Sequence, residues 1–385
     1  MFRLTCFSTF FLLLLTGCVS TPRDALDVLA ISDRLLPAFN QRLFEPSMVI
    51  SEEEIFHLSQ EQRADFFQFL NDPKFISTPR HVRVATYMGL ILDQFTFSDK
   101  TLTTRQSLAS KSGNCLSLTV LTTAFAELAG VDVTYQLLDQ NPIFSIDRGL
   151  LVTSDHLRAV LRSQTTKGSA FSSVSRVRID YYQTDGLSYI DNVSTNHQRS
   201  LFYSNLAVEK LFSNDVDSAY AYAVRALDIY KGNASALNTI GIVHRKRGDL
   251  VKAEEIYLHG AKYFDKGPTF IGNYTALLDS QERDVDLSQL TGAKSSTVHD
   301  HPWQWIRAGK KSFDNGDYDK AVSFYERALH LAPDLHQVYL MAGDASYAKG
   351  NKKKSHQYLV QALSVASQTS DRSQYKRKLE AFYQP

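Results

Sequence analysis

The chain has 385 residues, long enough for two domains or for one domain and a repeat array. Its 42 Lys and Arg against 41 Asp and Glu leave a formal net charge of +1, which gives neither a basic footprint for nucleic acid nor an acidic tail. With 43% hydrophobic and 22% charged residues it reads as a globular chain, and three cysteines are too few for a disulfide scaffold or a Cys-rich zinc site.

Residues 1–17 read MFRLTCFSTFFLLLLTG: one basic residue, Arg3, then an apolar stretch from Phe10 to Leu15 that is too short to span a bilayer. This is the layout of an export signal. Leu15-Thr16-Gly17-Cys18 resembles the bacterial lipobox. The resemblance implies a lipid on Cys18, and Val19 after it implies transfer to an outer membrane. The expected location is therefore the cell envelope, lipid-anchored and facing the periplasm. With Cys6 lost in the signal and Cys18 acylated, Cys115 is the remaining thiol.

Residues 18–78 read as a linker and a helical layer. Helical apolar spacing runs over 24–43 and 51–70 and resumes at 79–96. Ser51 with Glu54, and Ser59 with Gln62, have capping-box spacing.

The stretch SGNCLSLTVLTTAFAELAGVDVTYQLLD (112–139) carries the chemistry, if there is any. Leu118, Leu121, Phe125 and Leu128 keep a helical period, Gly130 stands at a C-cap position, and Val131 to Leu138 alternates as a strand. Cys115 then lies in the first turn of a buried helix, where the helix dipole and unpaired N–H groups favour a thiolate and could hold an oxyanion. A nucleophile needs a base and a group to orient it. SDHLRAVLRS (154–163) and SSVSRVRIDYY (172–182) read as paired strands; a hairpin symmetric about Gly168 sets His156 opposite Asp180. Asp191 in LSYIDN competes with Asp180 for that role. His57, His81 and His197 read as surface or capping residues.

The order Cys-helix, strand, His strand, Asp strand over about residues 80–195 resembles the transglutaminase-like superfamily. That resemblance implies an α+β, papain-like domain with an antiparallel sheet over 79–199, with Cys115 as nucleophile, His156 as base and Asp180 as its orienting carboxylate. It implies attack of a Cys115 thiolate on an amide carbonyl. Water capture would give a peptidase or amidase, and amine capture an acyl transferase.

From residue 200 the sequence repeats. Gly241 and Gly309, Gly248 and Gly316, Ala253 and Ala321, and Tyr257 and Tyr325 are each 68 residues apart, twice 34; Gly309 and Gly343, and Ala328 and Ala362, are 34 apart. Period and composition resemble the tetratricopeptide repeat (TPR), an all-α solenoid. Five units follow, at 200–233, 234–267, 268–301, 302–335 and 336–369, the third degenerate, with 370–385 as a capping helix. The resemblance implies a protein or peptide partner in the TPR groove. No cofactor, metal or nucleotide motif is present. The expectation is an envelope lipoprotein with a thiol-enzyme domain and a recruiting TPR array. The alternative is a non-catalytic TPR scaffold or adaptor lipoprotein for envelope assembly.

Overall fold

A computed structural model describes residues 36–138, 143–147, 150–154, 157–163, 175–180, 189–264, 267–283, 302–333, 335–366 and 369–381. Cys18 and the expected export signal lie outside them, as does His156. The fold is mostly helical, with a small sheet ahead of a long helical array.

The helix expected over 24–43 is not found in its described part. Residues 36–50 are extended apart from one short turn at Gln41–Leu43. Pro37 fixes its own φ and disfavours helix for Leu36, and the backbone N–H groups of Asn40 and Glu45 go to side chains of the array instead. The segment 51–70 is two helices, α1 (Glu52–Phe56) and α2 (Gln60–Leu70), because both Ser51 and Ser59 act as caps. Ser59 and Gln62 complete a capping box, satisfying two donors reciprocally. Helix α3 (Arg80–Leu92) starts at the Pro79 boundary as expected.

Two short parallel strands, β1 (Thr96–Phe97) and β2 (Ser112–Gly113), flank α4 (Thr104–Ser110) and lead into α5 (Cys115–Leu128). Gly130 ends α5 with φ +62°, and the Val131 N–H reaches back to the Ala126 carbonyl (2.8 Å). Strand β3 (Asp132–Leu138) follows. The hairpin of β4 (Ile143–Asp147) and β5 (Leu150–Ser154) stands apart, and β6 (Leu157–Arg162), β7 (Arg176–Ile179) and β8 (Tyr189–Val193) complete an antiparallel sheet in the order β7-β6-β3-β8. Thr123 on α5 hydrogen-bonds Tyr135 on β3 (2.7 Å), so the sheet face carrying Tyr135, Ala159 and Ile179 is the one that packs on α5. All three are buried.

The array follows as α6 (Thr195–Phe212) with α7 (Val216–Ile229), α8 (Ala234–Lys246) with α9 (Leu250–Tyr263), α10 (Gly267–Ser280), α11 (Pro302–Asp314) with α12 (Tyr318–Leu331), α13 (His336–Ala348) with α14 (Lys352–Val365), and α15 (Thr369–Ala381). The second half of the degenerate third unit lies outside the described residues. Helix α6 begins at Thr195, so the boundary drawn at 199/200 falls inside it. The repeat has a local cause. A Cβ on Gly241 would meet the Tyr257 ring at 2.5 Å, and one on Gly309 the Tyr325 ring at 2.5 Å. A residue with no side chain lets an aromatic from the second helix lie on the first. Gly248, Gly316 and Gly350 turn between the helices at φ +81°, +78° and +89°.

Among the described residues one hydrophobic core runs from Ile55 through the sheet to Leu278, joining the N-terminal layer to the first helices of the array. A second core, Ile306 to Ala345, serves α11–α13.

Candidate functional site

Three places on this frame can carry function: the start of α5, the sheet, and the array.

Cys115 is the first residue of α5 and is half-buried. Asn114 caps the helix, its side chain accepting from the Ser117 N–H (2.9 Å) and donating to Thr101 Oγ1 (2.9 Å). Ser117 Oγ accepts from the Leu102 N–H (2.8 Å). Gly113 is required, since a Cβ there would lie 2.5 Å from that of Ser117. The Thr101 N–H donates to Glu209 of α6 (2.6 Å), and burial pushes the Glu209 carboxyl up, against the opposing effect of its Thr101 bonds. Loop, helix start and array are thus tied together beneath the thiol.

The register of the sheet differs from the expected one. β6 and β7 pair as Ala159↔Ile179, Val160↔Arg178, Leu161↔Val177 and Arg162↔Arg176, so paired numbers sum to 338, whereas symmetry about Gly168 requires 336. Continuing the ladder by one residue sets Asp180, not opposite His156, but opposite Arg158. Arg158 is buried, donates from Nε to Gln136 (3.0 Å) and senses the Asp180 carboxylate. Burial and then the Arg178 charge push the Arg158 guanidinium below its usual range, and Asp180 acts in the opposite direction. Gln136 and Arg158 alternate with Tyr135 and Ala159, so they lie on the sheet face turned away from α5. The turn from 164 to 174 lies outside the described residues, and the symmetric count assumed its centre. In β8, Asp191 pairs with Leu137 of β3.

His81 corrects a second expectation. It is buried within α3 and its Nε2 lies 3.1 Å from Ser175 Oγ at the start of β7; burial pushes its imidazole below the ordinary range. A cavity of about 410 Å³ lies at the far end of α5 from Cys115, between Glu52, His57, Arg63, Glu127 and Arg199. Among the described residues no group of three or more His, Cys, Asp or Glu is placed to hold a metal.

The array already holds an extended chain. Phe44 stacks on Tyr220 of α7 (3.9 Å, 4° between planes) and meets His244 of α8 edge-on (5.1 Å). The Asn40 N–H donates to His244 Nε2 (3.2 Å), so the ring proton is on Nδ1 and goes to the Ile240 carbonyl (2.8 Å). The Glu45 N–H goes to Asp217 (3.1 Å), Tyr203 OH donates to the Ile50 carbonyl (2.9 Å), and Glu52 pairs with Arg199 and Arg225 (2.9 Å each). Sequence reasoning missed this strap; the aromatic pair Phe39 and Phe44 five apart, in a stretch with Pro37 and Pro46, was its signal.

The strap is expected to loosen in acid. Burial, the largest effect on His244, lowers its pKa below the unfolded value near ~6.5, although Ile240 and Asp249 pull it the other way. The neutral ring is what accepts from Asn40. The stabilisation is therefore complete above about pH 6.5 and is lost as pH falls below it. Amide exchange of residues 38–50 should speed up between pH 7.5 and pH 5 once corrected for intrinsic rates, and His244→Gln should flatten that dependence.

Residues 313–337 match the tetratricopeptide repeat family. The match runs from the end of α11 through α12 to the start of α13, so this part of the array is a tetratricopeptide repeat. No curated protein matches the chain. Among solved structures it is similar to the MamA protein (20% identity, 46% of this chain and 94% of that one, TM-score 0.25) and to YrrB, described as a TPR protein with an unusual peptide-binding site (18%, 46% and 92%, 0.26). It is also similar to pilF of Pseudomonas aeruginosa (17%, 49% and 94%, 0.33).

Proposed function

We propose that the chain is a non-catalytic TPR scaffold or adaptor, anchored at the outer membrane by a lipid on Cys18, whose array docks a protein or peptide partner. The observation that carries this reading is the strap: the array receives an extended chain through aromatic stacking and side chains that bond its backbone, the means by which it would receive another. The N-terminal layer shares a core with the first repeats and so serves as a rigid end to the array.

A second reading keeps a thiol enzyme, with Cys115, His156 and Asp180 acting on amide bonds. Its support is the half-buried thiol at the N-terminus of α5. Against it stands Asp180, whose neighbour is Arg158 on the other side of the sheet.

A photo-crosslinking residue in place of Tyr347, which is exposed on α13, tests the first reading, with one in place of Phe67 on α2 as the control. Adducts in whole cells are expected at 347 and not at 67, and equally in a Cys115→Ala background. Loss of the adducts in Cys115→Ala would favour the enzyme.

A further inference from the structure

One face of the sheet carries a cluster of arginines that neither reading uses. Arg176 and Arg178, two apart on the edge strand β7, share a face and are exposed. The register sets Arg176 opposite Arg162 and Arg178 opposite Val160, with Arg158 next on the same face of β6. Among the described residues, Asp132, opposite Arg162 on β3, and Asp180 are the carboxylates of this face. Four guanidinium groups against two carboxylates leave it at 4 − 2 = +2.

Arg158 is satisfied by Gln136 and the nearby Asp180. The other three are not. Among the described residues Arg162, Arg176 and Arg178 form no ion pair, and the Arg162 Nε is buried with no acceptor. Arg162 and Arg176 are direct cross-strand neighbours, roughly 5 Å apart at Cβ, where like charges repel. A buried N–H left without an acceptor is also unfavourable. An oxyanion bound between the guanidinium groups relieves the repulsion. A single carboxylate does not suffice here: Asp132 stands directly opposite Arg162 and forms no ion pair with it. A phosphate group, monoester or diester, brings one to two negative charges and two or three acceptor oxygens around one tetrahedral centre, so it can bridge several guanidinium forks where a planar carboxylate meets one.

We propose that Arg162, Arg176 and Arg178 form a binding site for a phosphate-bearing ligand on the sheet face opposite α5. Phosphate can come from a soluble ligand or from the headgroup of an anionic phospholipid, and the same site would take either.

The test uses the full chain at low ionic strength, with inorganic pyrophosphate and with phosphatidylglycerol or phosphatidylcholine vesicles as probes. Wild type is expected to bind pyrophosphate, and Arg176→Gln/Arg178→Gln to bind it about tenfold more weakly or not at all; both positions are exposed, so the fold tolerates the change. Arg176→Lys/Arg178→Lys should keep part of the affinity, since it keeps the charge and loses the fork. Binding to phosphatidylglycerol vesicles that the Gln variant loses and pyrophosphate competes away identifies a headgroup; pyrophosphate binding without vesicle binding identifies a soluble ligand. Either result supports the site. Equal binding of both probes by wild type and Gln variant, or none by wild type, overturns it. So does a Gln variant that merely self-associates, which would make the arginines guards of an edge strand.

Discussion

Replacing Tyr257 by Ala is expected to lower the stability of the array by about 3–5 kcal/mol, while replacing it by Phe should leave stability unchanged or raise it by about 1 kcal/mol. Tyr257 is fully buried against Gly241, filling the space that the missing Cβ leaves. Truncation would open a cavity at the crossing of α8 and α9. Its hydroxyl, by contrast, is buried with no partner, and burial pushes the phenol well above its usual range. Removing that oxygen removes an unsatisfied polar group and little else. Tyr203 gives the control with the opposite sign: it is equally buried, but its hydroxyl donates to the Ile50 carbonyl. Tyr203→Phe should cost about 0.5–1.5 kcal/mol and loosen the strap. Urea denaturation followed by circular dichroism measures all three. A Tyr257→Phe loss as large as that of Tyr203→Phe would refute the account of the hydroxyl.

Gly260→Ala is expected to cost about 1–3 kcal/mol, a large effect for one methyl group. A Cβ there would sit 2.2 Å from Cδ1 and 2.3 Å from Cε1 of Phe270, a fully buried ring at the boundary of the second and third units. The ring is fully buried, so the added methyl group must push it into its neighbours or force α9 and α10 apart. Phe270→Leu in the same chain should recover part of the loss. Gly248→Ala provides the contrast. Its cost comes from φ +81° with no atom within contact distance, and Phe270→Leu should not relieve it. Additivity of the Gly260 and Phe270 changes would mean that they do not act through one contact.

The repeats were the most legible part of the sequence because the same contact recurs. The glycine under a tyrosine keeps its spacing in the second and fourth units (Gly241 with Tyr257, Gly309 with Tyr325), and in the fifth Gly343 lies against Leu359 instead, so the 34-residue period is written in side-chain sizes. Helix α5 and its Gly130 stop were also readable, from apolar spacing over four turns and a glycine that the left-handed cap requires. The strap was hidden. Its conformation is fixed by Tyr220, His244 and Asp217, some 170–200 residues away, and local apolar spacing read it as a helix. The paired strands around 157–162 and 176–179 were legible as strands, but their register was not. A two-residue shift keeps every side chain on its face, so alternation cannot detect it. That shift is what moves Asp180 from the expected imidazole to Arg158. The β4–β5 hairpin was missed because neither of its strands joins the main sheet.

The central claim, a scaffold rather than a thiol enzyme, is tested most directly by the rate of iodoacetamide alkylation of Cys115 at pH 6.5 in wild type and in His156→Ala. A thiol with no imidazole beside it reacts slowly at this pH and is indifferent to the substitution, so a ratio of rates near ~1 is expected. Rapid labelling in wild type that falls about tenfold or more in His156→Ala would reveal a thiolate–imidazolium pair, and would contradict the scaffold reading in favour of catalysis.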